Sequence, residues 1–132
     1  MWIKLCGIKD IETAKLAADL GANAIGLNFY ARSPRAVSIS RAAEIVQAID
    51  GRLESVGLFV NHSIDDVVST LDSCRLDAAQ LHGDETIEFI AELSQRRPDI
   101  GIIRAFRVGD EGCGEMAIAL DELRSRGVAL RA

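Results

Sequence analysis

Short apolar runs alternate with amphipathic segments along the chain, roughly every 22–30 residues. The apolar runs predict five strands, at residues 2–6, 24–30, 55–60, 77–82 and 100–106. The segments between them predict five helices, at about 11–20, 38–49, 63–73, 84–97 and 115–126, and residues 128–131 resemble the start of a sixth strand. Because the strand runs are almost continuously apolar and each is followed by a helix, the pattern favours an α/β fold with a parallel sheet.

The predicted helix starts carry side chains that accept hydrogen bonds from free backbone N–H groups. The candidates are Asp10, Ser38 or Ser40, Ser63 with Asp66 three residues later, and Asp84. Gly21, Gly51 and Gly127 follow three of the predicted helices, where a left-handed residue commonly ends a helix.

Polar side chains interrupt three of the apolar strands near their C-terminal ends. With a side-chain period of two, Lys4 and Cys6 share one face of their strand, and Gln80 and His82 share one face of theirs. Arg104 is a third polar position within an apolar strand, and we expect it on the same face of the sheet. Since ligand sites of parallel α/β folds lie at the C-terminal ends of strands, the pattern predicts a polar site there.

The length and composition bound the architecture. The chain has 132 residues, with 48% hydrophobic and 27% charged residues, as in an ordinary globular protein. This predicts a single domain over residues 1–132, too short for a complete eight-stranded βα barrel of about 200–250 residues. No signal peptide or membrane-spanning run is predicted.

Charge and cysteine content exclude several classes of function. The net charge of −5 and the absence of a basic block argue against nucleic acid or a membrane surface as partner. Cys6, Cys74 and Cys113 form no disulfide framework, and with His62 and His82 they form no metal-binding pattern. We therefore expect a reduced, cytoplasmic protein without a metal site.

Four motifs, each at a predicted strand end, resemble those of phosphoribosylanthranilate isomerases, enzymes of tryptophan biosynthesis. In chain order they are Lys4-Leu5-Cys6-Gly7-Ile8, Gly26-Leu27-Asn28-Phe29 followed by Ser33-Pro34-Arg35, Val56-Gly57-Leu58-Phe59-Val60-Asn61, and Gln80-Leu81-His82-Gly83 followed by Glu85. The resemblance covers the whole chain but only about the first two-thirds of a typical family member.

The resemblance implies a partial (βα)8 barrel and a reaction without cofactor. That reaction is the Amadori rearrangement of N-(5-phosphoribosyl)anthranilate to 1-(2-carboxyphenylamino)-1-deoxyribulose 5-phosphate. The resemblance implies that Cys6 is the general base, that Arg35 grips the anthranilate carboxylate, and that Gln80 and His82 line the substrate pocket. A thiol of ordinary pKa, about 8.5, needs help to act as a thiolate near neutral pH. Lys4, on the same face as Cys6, is our candidate for that positive charge.

The general acid of the family is an aspartate at the end of the sixth strand, and its phosphate-binding loops follow the seventh and eighth. These positions lie beyond Ala132, so we expect the 132 residues alone to be inactive. An open barrel exposes sheet edges and an inner face, which includes residues such as Ile25, Leu27 and Phe59 on whichever strand parity points inward. We expect a homo-oligomer, formed through that face or the edges, to cover this surface. The alternatives are a non-catalytic folding or assembly fragment of a barrel and a flavodoxin-like binding module.

Overall fold

The computed structural model describes residues 1–110 and 112–131, and in them five strands alternate with five helices. The strands are β1 (Lys4–Cys6), β2 (Ala24–Asn28), β3 (Glu54–Phe59), β4 (Ala78–Leu81) and β5 (Gly101–Arg104). The helices are α1 (Ile11–Asp19), α2 (Ile39–Ile49), α3 (Ile64–Cys74), α4 (Ile87–Arg96) and α5 (Gly114–Ser125). The predicted alternation is confirmed, although most of the strands are shorter than the apolar runs that predict them. None of the helices described is long and apolar enough to cross a membrane.

Side chains cap the first four helices, whereas α5 begins after Cys113 without a side-chain cap. Three predicted caps are confirmed, at Asp10, Ser38 and Ser63. The fourth is wrong: Thr86, not Asp84, caps α4 by accepting a hydrogen bond from the Phe89 N–H. Asp84 instead lies in the loop before the helix, where its own N–H donates to Asn61 Oδ1 at 2.7 Å.

All strand pairs are parallel, and the strands lie in the sheet in chain order, β1-β2-β3-β4-β5. This order is that of a βα barrel, open here between β1 and β5. The flavodoxin-like alternative is wrong, because a doubly wound sheet reverses its strand order at a switch point. The predicted sixth strand is not formed over 128–131, although the Arg131 N–H already donates to Ile102 O of β5 at 2.8 Å. Ala132, the end of that prediction, lies outside the described residues.

The sheet has a helix-covered face and a concave inner face. Ile25, Leu27 and Phe59 are fully buried against the helices, so their strand parity is the one that points away from the inner face. The inner face carries smaller side chains, whose buried cluster consists of Ala24, Val56, Ala78 and Ile103. The curvature of the sheet therefore hides most of the apolar inner surface without a partner.

Exposed apolar surface lies instead at the two edges of the open barrel. At the β1 and α1 edge the exposed side chains are Trp2, Ile3, Leu5, Leu16 and Leu20. At the other edge, Val108 and Ile118 are exposed. There a cavity of about 620 Å³ opens between the end of β5, α5 and residues 127–130. The edges, rather than the inner face, are the surfaces that call for a covering partner.

Gly57 lies on the helix-covered face, where the Phe59 ring leaves no room for a side chain. A Cβ at this position would lie 2.7 Å from Leu76 Cδ1 and 2.9 Å from Phe59 Cε2. We expect Gly57→Ala to lower the free energy of unfolding by about 1–3 kcal/mol, since overpacking a close-packed core forces its neighbours to shift. Urea denaturation followed by circular dichroism measures this.

The matched control is Gly114→Ala, because a Cβ at Gly114, the first residue of α5, meets no atom within 4 Å. We expect its free energy of unfolding to be unchanged or slightly higher. Equal stability of the Gly57→Ala variant and the wild type would contradict the packing described.

Candidate active site

Lys4, Cys6 and Gln80 meet on the inner face, as the strand period predicts for their side chains. Lys4 Nζ lies 2.7 Å from Cys6 Sγ and 2.7 Å from Gln80 Oε1. Because β1 and β4 are separated by two strands, the lysine side chain crosses the concave face to reach the amide. The arrangement places the Lys4 amine, held by a neutral amide oxygen, in direct contact with the Cys6 sulfur.

Gly26 of β2 provides the space for this contact. A Cβ at Gly26 would lie 3.3 Å from Cys6 Sγ and 3.5 Å from Lys4 Nζ. A side chain at this position would therefore crowd the Cys6 sulfur and touch the Lys4 nitrogen.

Arg35 lies beside the end of β1 because the loop after β2 folds back over Gly7. Gly7 has φ +81°, and a Cβ there would lie 2.6 Å from Arg35 Cδ. The loop is held by Ser33, whose Oγ accepts hydrogen bonds from the Arg35 N–H and from Asn28 Nδ2, at 3.2 and 3.1 Å. A guanidinium group is thus brought next to the strand that carries Cys6.

His82 is exposed just beyond β4 and lines a cavity of about 330 Å³ together with Arg35 and Arg107. Two guanidinium groups and an imidazole around one small cavity favour an anion such as a carboxylate. The sequence pattern did not single out Arg107. Its place immediately after the predicted fifth strand is the signal that could have found it.

Arg104 does not join this group. In the register of the sheet it pairs with Leu81, on the helix-covered face, so the predicted common face is wrong for this residue. Its guanidinium forms an ion pair with Glu85 at 2.7 Å, with the two side chains only 12% and 2% exposed.

The other two cysteines lie away from the site. Cys74 is buried at the end of α3, where its thiol donates to Ile39 O, and burial raises the pKa of that thiol. Cys113 is exposed just before α5. Within residues 1–110 and 112–131, no group of three or more His, Cys, Asp or Glu side chains is placed to hold a metal ion.

Comparison with known proteins shows which family the chain resembles. A family model described as N-(5'phosphoribosyl)anthranilate (PRA) isomerase matches residues 3–124. The N-(5'-phosphoribosyl)anthranilate isomerase of Geotalea uraniireducens (strain Rf4) is 45% identical over 108 residues, which are 82% of this chain and 51% of the relative. The enzyme of the same name from Pseudomonas aeruginosa (strain LESB58) is 49% identical over 115 residues, 87% of this chain and 53% of the relative.

Solved structures show the same relationship. The crystal structure of phosphoribosyl anthranilate isomerase from Thermotoga maritima superposes with a TM-score of 0.83 at 32% identity, covering 94% of this chain and 58% of the other. A structure of the isomerase in complex with reduced 1-(o-carboxyphenylamino)-1-deoxyribulose 5-phosphate gives the same score and identity, with 61% of that chain covered. The chain spans about half the length of the curated relatives it matches. It belongs to the N-(5'-phosphoribosyl)anthranilate isomerase family.

Proposed function

We propose that this chain supplies the base-bearing half of a phosphoribosylanthranilate isomerase site, acting in tryptophan biosynthesis. The observation that carries the proposal is the contact of Lys4 Nζ with Cys6 Sγ on the inner face of the sheet, in a member of this family. The isomerase found in complex with a reduced product supports the same substrate class for this chain.

In the proposed reaction, protonation of the ring oxygen opens the aminofuranose to a protonated Schiff base. The Cys6 thiolate then removes the proton from carbon 2, and that electron pair forms the carbon 1–carbon 2 double bond while the iminium nitrogen becomes neutral. Tautomerisation of the resulting enolamine gives the ketose. The family resemblance assigns the first protonation to an aspartate at the end of the sixth strand, beyond the residues of this chain.

The cavity lined by Arg35, His82 and Arg107 is the proposed place of the anthranilate carboxylate. A planar guanidinium binds a carboxylate at two points, so it fixes the orientation of the aromatic end while carbon 2 meets the base. Gln80 acts on Lys4 in this scheme, since its amide oxygen holds the ammonium beside the sulfur.

We expect Lys4→Met to slow the alkylation of Cys6 by iodoacetamide at pH 7 severalfold, because the ammonium group favours the nucleophilic thiolate. Peptide mass spectrometry separates the reaction at Cys6 from that at Cys113, which is also exposed and serves as an internal reference. Lys15→Met is the matched control, as Lys15 is exposed on α1. An unchanged Cys6 rate in Lys4→Met would rule out the role of this lysine.

Isomerase activity is expected when the chain is combined with a polypeptide homologous to the remaining part of its relatives, and not from the 132 residues alone. The measurement is growth of a tryptophan-requiring strain that lacks the isomerase, followed by the fluorescence assay of anthranilate turnover. Cys6→Ala should reduce kcat by at least about 100-fold. Cys113→Ser should leave it unchanged. Activity of the combination that survives Cys6→Ala would contradict the proposal.

We further propose that copies of the chain associate through the exposed edge formed by Trp2, Ile3, Leu5, Leu16 and Leu20. A Thermotoga maritima relative is described as dimeric, which supports self-association in the family. Sedimentation velocity at micromolar concentration should show a dimer or larger species. Leu20→Glu should weaken this association, whereas a monodisperse monomer of the wild type would contradict it.

A further inference from the structure

Glu85 and Arg104 form a buried ion pair at the C-terminal ends of β4 and β5, on the side of the sheet away from Cys6. The distance from Arg104 Nη1 to Glu85 Oε2 is 2.7 Å, and the Glu85 side chain is 2% exposed. Burying two charges costs desolvation free energy, which is recovered only when the remaining lone pairs are also satisfied. The partners of the Glu85 carboxylate therefore indicate what the pair does.

Those partners are backbone groups of two loops. Oε1 accepts a hydrogen bond from the Asn61 N–H at 2.9 Å, and Oε2 accepts one from the Gly83 N–H at 2.9 Å. Arg104 Nη1 donates in addition to Leu81 O at 3.2 Å. The pair thus holds the backbone on both sides of His82 and ties it to the loop after β3.

The position of the His82 imidazole depends on that backbone. The residue is exposed, and its ring forms no hydrogen bond with a described residue, whereas its N–H donates to Phe59 O at 2.9 Å. The turn at Gly83 is tightly packed against Asn61, since a Cβ at Gly83 would lie 2.5 Å from Asn61 Oδ1 and 2.8 Å from Asn61 N. The direction of the ring into the cavity shared with Arg35 and Arg107 is therefore set from the opposite side of the sheet.

We propose that Glu85 is a positioning residue, whose carboxylate, paired with Arg104, fixes the turn that directs His82 into the anion-binding cavity. The inference rests on the proposed function for the identity of the ligand, but the geometric part stands on the contacts alone. The proposal gives the Glu85–Arg104 pair a role beyond that of a stabilising ion pair, because the two carboxylate oxygens also accept hydrogen bonds from the backbone of the turn.

The first experiment measures the backbone of the turn by NMR relaxation in the 132-residue chain. In Glu85→Gln one carboxylate oxygen becomes an amide donor, so either Asn61 or Gly83 loses its acceptor. Either loss breaks the link that residue 85 makes between the Gly83 and Asn61 N–H groups, so we expect the order parameters of the His82 and Gly83 amides to fall from about 0.85 to below about 0.6. Glu88→Gln, which alters an exposed acid on α4, is the control and should leave both values unchanged.

The double variant Glu85→Gln/Arg104→Met separates positioning from stability. It removes the buried unpaired cation that the single variant leaves, so the free energy of unfolding should recover. The carboxylate oxygen lost at residue 85 is not restored in the double variant, so the turn at His82 and Gly83 should stay mobile. Wild-type order parameters at His82 and Gly83 in either variant would overturn the proposal.

The second experiment measures kinetics in the combination of this chain with the homologous polypeptide. A misdirected His82 should raise KM for the anthranilate substrate about tenfold and change kcat less than threefold, in both variants, at a temperature where all are folded. An unchanged KM would overturn the proposal. Absence of activity in the wild-type combination would instead refute the proposed isomerase function, and the relaxation data would still decide whether Glu85 positions the turn.

Discussion

The side chain of Lys4 reaches from β1 to Gln80 on β4 only because five parallel strands curve into a trough. In a flat sheet, strands three positions apart are about 14 Å from each other. Extended lysine and glutamine side chains could not bridge that distance. The curvature in turn requires small residues on the concave face, which Ala24, Gly26 and Ala78 provide. The contact between Lys4 and Cys6 is therefore a product of the barrel geometry.

The polar side chains on the two faces of the sheet differ in their exposure and in what they contact. On the inner face, Lys4, Cys6 and Gln80 remain partly accessible, as the proposed reaction requires. On the helix-covered face, Glu85 and Arg104 are buried and hold backbone N–H and C=O groups of the loops. At the opposite end of the trough, the ion pair of Glu54 with Arg131 connects β3 to the segment after α5. The fixed polar groups thus surround, but do not enter, the proposed reaction site.

The sequence predicts the elements well because their signals are local. Asp10, Ser38 and Ser63 cap helices through contacts three residues away, and the apolar runs need only their own composition. The alternation of side chains does not predict which face a residue occupies where both faces are buried. Ile102 and Ile103 are equally apolar, so nothing in strand five reveals that Arg104 faces the helices. The α4 start fails similarly, because Asp84 and Thr86 are both good caps and the tertiary contact with Asn61 decides between them.

The motifs that resemble the isomerases contain more residues than the proposed chemistry uses. In the structure, several of the others pack against or hydrogen-bond the loops that carry the site. Gly26 leaves room for the sulfur and the ammonium, and Gly83 lets the loop after β4 touch that of Asn61. Glu85 then closes the same junction with its two oxygens. In the proposed reaction a base and a carboxylate-binding group act together only if the loops that bear them keep their positions, so these packing residues set the precision on which that proposal depends.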